Sequence, residues 1–351
     1  MHEIDFLPVE NKEQDGGKSG DAIAARFTVD AERREAVIVV DGGFASIGED
    51  MVEHILKYYR TSQVDLMIST HPDADHLNGL ATIIEQLDVA ELLIHQPRLH
   101  RSDLSDFSNL EALDNLLAVA RRRGVSISEP FTGTSRFNGQ LLILGPTKSY
   151  YRELLDEQLI EAKAVAASYG SRAVKHFLQR AESLLDKALT YLPIETLTDD
   201  GETSPRNNSS VVALLTVDSR RLLLTGDAGI PALEAAANYY EQTVGSFSGA
   251  PVSFFQAPHH GSKRNVGPTI LNRMLGTPGA PYNSACVAFI SSAKAAPEHP
   301  SPKVVNALSR RGCQVGATEG VSITSHHGTP AREGWVPLQP IGPLSEDDDE
   351  D

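Results

Sequence analysis

Short apolar stretches alternate with helical patterns along most of the chain. The apolar stretches that have the length and residue content of strands are Ile23–Val29, Ala36–Val40, Leu66–Ser69, Leu92–Ile94, Leu141–Leu144, Val211–Val217, Arg221–Leu224, Val252–Gln256, Ala285–Ile290 and Val321–Thr324. The segments with helical spacing of apolar positions are Asp50–Arg60, Leu77–Leu87, Leu110–Arg123, Ile230–Tyr240 and Pro302–Arg311. Strands towards both ends with helices between them predict an α+β fold in which two mixed sheets carry helices on their outer faces.

One long segment, at about 149–192, breaks this alternation. It is rich in Ala, Leu, Glu, Lys and Arg, has no strand pattern, and is flanked by residues that break helices. We interpret it as a helical insertion, which could be a packing appendage, a contact with a protein partner or a second copy, or a substrate lid. No linker divides the remainder, so we expect one domain over residues 1–340, followed by an acidic, disordered tail over 341–351.

Composition and charge narrow the classes of function. The 351 residues carry a formal net charge of -16, which argues against a broad basic surface that follows duplex nucleic acid. No apolar stretch is long enough to cross a bilayer, and the first residues do not have the pattern of a secretion signal. We therefore expect a cytoplasmic protein without a membrane partner. Cys286 and Cys313, the two cysteines, are expected to be buried thiols.

The densest chemistry lies in the segment DLMISTHPDADHLNGL. Its apolar stretch, Leu66–Ser69, leads directly into His71, Asp73, Asp75 and His76. A strand that ends in a tight loop can direct several side chains to one point, and metals of borderline hardness bind imidazole nitrogen together with carboxylate oxygen. A helix cap with surface histidines would explain one Asp, but not a set this dense. The segment predicts a metal site.

Two further strand ends supply ligands of the same kind. RRLLLTGDAGIP ends an apolar stretch at Asp227, and SFFQAPHHGSKRN ends one at the neighbouring His259 and His260. Adjacent histidines point in different directions, so we expect one of the two to bind metal and favour His260, with His259 as its support. The following Lys263 and Arg264 could bind phosphate, although a solvated turn would look the same.

Together these segments predict a centre for two divalent cations roughly 3.5–4 Å apart, as in two-metal hydrolases. We expect His71 and Asp73 to hold one cation, and Asp75, His76 and one of the adjacent histidines to hold the other. Asp227 would bridge the two, which makes Asp75 and Asp227 the principal catalytic residues. Water held between two such cations loses its proton near neutral pH and becomes a nucleophile.

The ordered series of motifs resembles the metallo-β-lactamase-fold hydrolases, and most closely the hydrolase domain of ComEC-type DNA-uptake proteins. The segments that carry the resemblance are GDAIAARF near Gly20, VIVVDGG at Asp41, HPDADH at His71–His76, NNSSVVALL at Asn207, LLLTGD at Asp227, HHGS at His259 and EHPSPKVVNAL at His299. The resemblance implies an αββα sandwich in which Asp41 is structural.

The resemblance also bears on the metal and the substrate. Asp73 stands where many branches have His, and Asn207 and Asn208 stand where some have a further histidine, so either zinc or manganese is expected. His299 could contact a substrate phosphate or donate a proton to the leaving group, and a capping role near a helix start is an equal alternative. The remaining substrate candidates are Asn208, Ser262 and Lys263.

We predict a metal-dependent phosphodiesterase that acts on single-stranded nucleic acid or a nucleotide, and within this class we favour a nuclease. Two alternatives remain at this stage. The first is hydrolysis of an ester, lactone or thioester by the same centre. The second is a partner-binding module that retains metal without activity of its own.

Overall fold

The computed structural model describes residues 1–11, 17–168, 195–296 and 298–346. Within these ranges two seven-stranded mixed sheets stack face to face. The first contains β1 (His2–Phe6), β2 (Ala22–Val29), β3 (Arg34–Gly42), β5 (Leu66–Ile68), β7 (Glu91–Leu93), β8 (Ser126–Ser128) and β18 (Ile323–His327). The second contains β9 (Ser135–Arg136), β10 (Leu141–Gly145), β11 (Val212–Val217), β12 (Arg220–Leu224), β13 (Phe254–Gln256), β16 (Val287–Ile290) and β17 (Gln314–Ala317).

Two short ladders and nine α-helices complete the described part of the fold. The ladders pair β4 (Gln63–Val64) with β6 (Asp88–Val89), and β14 (Gly276–Thr277) with β15 (Ala280–Pro281). The helices are α1 (Ile47–His54), α2 (Ala74–Leu77), α3 (Leu80–Gln86), α4 (Leu110–Arg123), α5 (Lys148–Ser168), α6 (Pro205–Asn208), α7 (Ile230–Thr243), α8 (Pro268–Leu275) and α9 (Pro302–Arg310). A π-helical turn continues α1 over Ile55–Tyr59, and 3-10 turns lie at Pro97–Leu99, Phe137–Gly139 and His259–Gly261.

Each sheet is antiparallel in one half and parallel in the other. The order of the first is β18-β1-β2-β3-β5-β7-β8, with parallel pairing from β3 onwards. The order of the second is β17-β16-β13-β12-β11-β10-β9, with parallel pairing from β17 to β12. Because parallel strands end at the same edge, the loops that follow β3 and β5 gather at one edge of the first sheet. The loops that follow β12 and β13 gather in the same way in the second.

Three buried apolar clusters define the layers. One, including Phe6, Ile38, Leu224 and Phe254, lies between the two sheets. A second joins the outer face of the first sheet to α1, α3 and α4, and a third joins the outer face of the second sheet to α7, α8 and α9. The layer order is therefore helix, sheet, sheet, helix, which confirms the predicted α+β class with two mixed sheets.

Several elements differ from the sequence-based prediction. Apolar patterning did not predict β1, β8, β17 or α8, and the last strand begins at Ile323 instead of Val321. The predicted helix Leu77–Leu87 is shorter in the structure, because α2 ends at Leu77 and α3 begins only at Leu80, after Gly79. A β-carbon on Gly79 would lie 2.0 Å from the carbonyl oxygen of Gly42, so only glycine permits the two backbones to approach this closely.

The predicted insertion and tail are described only in part. Helix α5 occupies the start of the predicted insertion, and residues 169–194 lie outside the described residues. In the predicted tail, Ile341 donates its backbone N–H to Val315, and Leu344 donates its backbone N–H to Asn306. Part of that segment therefore packs against the second sheet and α9, while residues 347–351 are not described. No helix among the described residues combines the length and apolar character needed to cross a membrane.

Candidate metal centre

The histidines and aspartates predicted to bind metal meet at the edge where the parallel strands end. His71 follows β5, Asp227 follows β12, and His260 follows β13. Gly226 makes the turn before Asp227 with a φ of 51°, in the left-handed region. A β-carbon there would lie 3.0 Å from Cβ of Thr70, so this turn needs glycine to bring the two sheets together.

Asp227 lies between two histidines of the first sheet. Its Oδ2 is 3.6 Å from Nε2 of His71, and its Oδ1 is 3.4 Å from Nε2 of His76. His71, His76 and Asp227 are all buried and offer one ligand atom each within a common radius. The two oxygens of Asp227 thus face different histidines, which is the arrangement expected of a carboxylate that bridges two cations.

A second group of ligands shares His76. Oδ2 of Asp75 lies 3.9 Å from Nε2 of His76 and 3.7 Å from Nε2 of His260. Burial alone would raise the pKa of Asp75, but the facing rings of His260 and His76 lower it to about 2. Asp75 is therefore ionised at neutral pH and able to bind a cation.

These donor atoms fit a cation in their chemistry as well as in their spacing. Nε2 of His71, His76 and His260 and Oδ1 of Asp227 are buried and have no hydrogen-bond partner among the described residues. Burying polar atoms without partners costs several kcal/mol in total, so such a cluster needs a function. Ligand atoms about 2.0–2.1 Å from a tetrahedral zinc ion lie roughly 3.4 Å apart, close to the separations observed here.

Neighbouring side chains orient the rings so that Nε2 is the free atom. Asp41 accepts hydrogen bonds from the backbone N–H of Thr70 at 2.8 Å and from its Oγ1 at 2.6 Å, and it lies 2.8 Å from Nδ1 of His76. The Oγ atoms of Thr70 and Ser210 lie 3.1 and 3.3 Å from Nδ1 of His71. Contacts of this kind fix the tautomer of a metal-binding histidine. The structural role that the resemblance implied for Asp41 is thus to support His76.

Asp21 is a site residue that the sequence reasoning missed. It precedes β2, is buried, and has Oδ2 at 3.7 Å from Nδ1 of His76 and 2.8 Å from Nε2 of Gln256, which donates to it. Burial raises the pKa of Asp21, and the nearby carboxylates of Asp227 and Asp41 raise it further. The signal in the sequence was the Gly-Asp pair at the start of the first motif, which by itself resembles a simple turn.

Asp73 occupies the margin of the centre. Its Oδ2 lies 3.7 Å from Nε2 of His71, but its Oδ1 accepts a hydrogen bond from Nη1 of Arg206 at 3.0 Å. Asp73 does not belong to the compact ligand groups found among the described residues. The guanidinium of Arg206 was not singled out from the sequence, because arginine does not bind metals.

The adjacent histidines take different positions. His260 is buried and belongs to two ligand groups, whereas the ring of His259 is 32% exposed and hydrogen-bonds through Nδ1 to Nδ2 of Asn207 at 2.6 Å. That nitrogen of His259 lies 3.7 Å from Oδ2 of Asp227. Both histidines have left-handed backbone conformations, with φ of 48° and 58°. Such conformations cost about 1–3 kcal/mol each and cluster at functional sites.

A cleft of about 720 Å³ opens beside His259. Ser262, Lys263 and His299, three of the predicted substrate-contacting residues, line it. Asn207 also lines the cleft, whereas Asn208 is buried elsewhere, where it accepts from the backbone N–H of Gly229 and donates to the carbonyl of Thr203. Burial and the nearby rings of His260 and His259 lower the pKa of His299 to about 4, so at neutral pH its ring is uncharged. A neutral ring can donate a hydrogen bond, while proton donation by His299 stays a prediction.

The described residues thus form a two-sheet sandwich with a histidine and aspartate centre at one edge. Residues 29–147, which include all of the HPDADH segment, match the model of the metallo-beta-lactamase superfamily. Over these residues the chain is similar to that superfamily.

Individual proteins add little to this assignment. No curated protein matches the sequence. A crystal structure of a candidate metallo-beta-lactamase from Thermotoga maritima aligns with a TM-score of 0.35 and 10% identity, over 65% of this chain and 79% of that chain. A crystal structure of the long form of RNase Z from yeast aligns with a TM-score of 0.37 and 11% identity, over 98% of this chain and 40% of that chain. Scores this low say nothing about substrate.

Proposed function

We propose that this protein is a metal-dependent hydrolase that cleaves phosphodiesters. The observation that supports this most directly is the set of partnerless, buried donor atoms on His71, His76, His260 and Asp227. Three imidazole nitrogens and a carboxylate oxygen are a ligand set for zinc, and a set with more oxygen suits manganese. The alternative, a packed polar core, would leave these atoms hydrogen-bonded to each other.

The residues divide into two positions that share Asp227. The Asp75 position is formed by Asp75, His76 and His260, and the Asp73 position by His71 and Asp73. Divalent cations held there would lower the pKa of water near them and neutralise charge on the oxygen of the group under attack. Asp41 keeps the ring of His76 in the tautomer that leaves Nε2 free.

The cleft supports a phosphodiester as the group under attack. Lys263 and Arg264 line it together with His259 and His299, so cationic and imidazole N–H groups border the cleft, and His259 also approaches Asp227. Phosphate oxygens accept charge-assisted hydrogen bonds from such donors. The carboxylates of the same cleft and the net charge of -16 oppose a long duplex, so the substrate we propose is single-stranded nucleic acid or a nucleotide. Kinship with ComEC-type hydrolase domains stays a prediction.

A metal analysis and an activity panel test the proposal together. The wild-type protein, Asp75→Ala and Asp227→Ala should each be purified, loaded with zinc or manganese, and assayed on chromogenic phosphodiesters, chromogenic esters, and single- and double-stranded DNA. We expect phosphodiester turnover in the wild type and its loss in both variants, with far-ultraviolet circular dichroism unchanged. Asp114→Ala is the control of equal charge change. It removes an exposed carboxylate on α4 that pairs with Arg98, and it should keep full activity.

Three outcomes would contradict the proposal. Turnover in Asp75→Ala and Asp227→Ala equal to that of the wild type would contradict the roles assigned to these two residues. Ester turnover without phosphodiester turnover would move the substrate to carboxylic esters. Failure of the wild type to retain any cation would end the proposal of a metal-dependent function.

A further inference from the structure

The guanidinium of Arg206 forms an ion pair with Asp73, one of the predicted metal ligands. It lies on α6, immediately before Asn207, and its Nη1 donates to Oδ1 of Asp73 at 3.0 Å. The same guanidinium donates to Oγ of Ser108 at 3.3 Å and to the carbonyl of Asp106 at 3.3 Å. Three acceptors from two segments, the loop after β5 and the loop before α4, therefore hold the guanidinium in place.

Within the described residues, the other carboxylates of the centre have no arginine or lysine partner. In the described part of the chain, the ion pairs of Asp75 and Asp227 involve only histidine rings. Asp73, by contrast, divides its two oxygens between Arg206 and Nε2 of His71. The two positions thus differ in how much of their ligand charge is already neutralised by the protein.

We propose that Arg206 competes with a cation for Asp73, so that the Asp75 position fills first and the Asp73 position binds at least tenfold more weakly. A guanidinium stays protonated at every accessible pH, and a carboxylate that it neutralises is a weaker ligand. A cation at the Asp73 position would also lie within a few ångströms of that fixed positive charge and be repelled by it.

Asn207 is a second reason to expect weaker cation binding at the Asp73 position. A ring nitrogen of His259, which lies 3.7 Å from Oδ2 of Asp227, is engaged by the amide of Asn207 at 2.6 Å. Because this nitrogen is already engaged, it does not add a further ligand on the Oδ2 side of Asp227. Among the described residues, the ligands of the Asp73 position that no other group competes for are then His71 and a share of Asp227. This inference rests on the proposed metal-dependent function, but it concerns only the relative affinities of the two positions.

The test is a calorimetric titration of the metal-free protein, residues 1–351, with zinc, repeated with manganese. In the wild type we expect one tight equivalent and a second that binds at least tenfold more weakly. Arg206→Ala should tighten the second equivalent at least tenfold and leave the first unchanged, whereas Arg206→Lys, which keeps the charge, should stay near the wild type. Arg273→Ala removes an arginine paired with Glu241 on α7 and controls for net charge.

Asp73→Asn supplies the decisive comparison. If Arg206 acts through Asp73, the gain from Arg206→Ala should disappear in the double variant, as a double-mutant cycle would measure. Thermal unfolding of each variant checks that α6 remains docked. Asp73→Asn alone should keep the tight equivalent, so it reports on the inference even if removal of Arg206 disturbs the fold.

The outcomes separate this inference from the proposed function. Two equivalents of equal affinity in the wild type would overturn the inference and leave the hydrolase proposal standing. An unchanged second equivalent in a folded Arg206→Ala would do the same, as would loss of the tight equivalent in Asp73→Asn. No bound cation in any variant would overturn both.

Discussion

Replacement of Asp41 by asparagine should weaken cation binding at the Asp75 position although none of the residues that form that position is changed. The Asp41 carboxylate is fully buried and serves three donors, the N–H and Oγ1–H of Thr70 and the Nδ1–H of His76. An asparagine amide has only one acceptor oxygen. If that oxygen stays with the backbone N–H of Thr70, the new NH₂ faces Nδ1 of His76.

The consequence is a change of tautomer. Nδ1 of His76 must then accept a hydrogen bond, so the proton moves to Nε2, the atom that faces Asp75 and Asp227. A protonated Nε2 cannot bind a cation. Loss of such a supporting contact typically reduces metal affinity by about 10–100-fold, which is roughly 1.4–2.8 kcal/mol of binding free energy. We expect Asp41→Asn to fall in this range, with a loss of about 1–3 kcal/mol in the free energy of unfolding.

A buried aspartate elsewhere in the first sheet provides the matched control. Asp5 is also fully buried and contacts a histidine, since its Oδ2 lies 2.9 Å from Nε2 of His54 and accepts from the hydroxyl of Tyr59 at 2.6 Å. Asp5→Asn should destabilise the fold by a similar amount and leave cation affinity within about twofold of the wild type. Competition with a chromogenic chelator measures the affinity, and ¹⁵N chemical shifts of the ring nitrogens report the tautomer. Unchanged cation affinity in a folded Asp41→Asn would refute the reasoning.

Two further predictions concern stability and substrate binding. His54 and Arg332 oppose the effect of burial and lower the pKa of Asp5 to about 2, below its ordinary value of 3.8. A carboxyl group whose pKa is lower in the folded state stabilises the fold at pH values above its unfolded pKa. For Asp5 this stabilisation of about 2 kcal/mol should be complete at pH 7 and about 1 kcal/mol smaller at pH 3. Urea unfolding of the wild type and Asp5→Asn at both pH values measures this, and a difference between the two proteins that does not shrink at pH 3 would contradict it. Lys263→Ala should raise KM for a phosphodiester about fivefold with kcat nearly unchanged, because a contact between a partly exposed lysine and phosphate is worth about 1 kcal/mol. Steady-state kinetics would contradict this if kcat alone fell.

The periodicity of the chain was sufficient to predict the class of fold, because most strands and helices bury one apolar face. It failed at β1, where Glu3 and Asp5 are buried together with His2. Their charges are balanced by Arg26 and Arg332, and the separation of 327 residues between Asp5 and Arg332 is invisible to a local pattern. A buried charged strand can be recognised only once its partners are in place.

The same division holds for the metal centre. A metal site can be predicted from one short segment, the strand followed by His71, Asp73, Asp75 and His76, since four metal-binding side chains within six residues have few other uses. The direction of each donor is a different matter. His260, and not His259, belongs to the ligand groups. Its direction depends on the left-handed backbone conformation of both residues, which the amino-acid sequence does not specify.

The sequence by itself therefore determined the layered class of the fold, the strand ends that carry the chemistry, and the kinds of ligand they offer. Only the tertiary structure decided that Asp21 approaches His76, that Asp41 sets the tautomer of its ring, and that Arg206 engages Asp73. The physical reason is the range of the interactions. Periodicity and turn chemistry act over a few residues, whereas the contact between Arg206 and Asp73 spans 133 positions and exists only after the two sheets have packed.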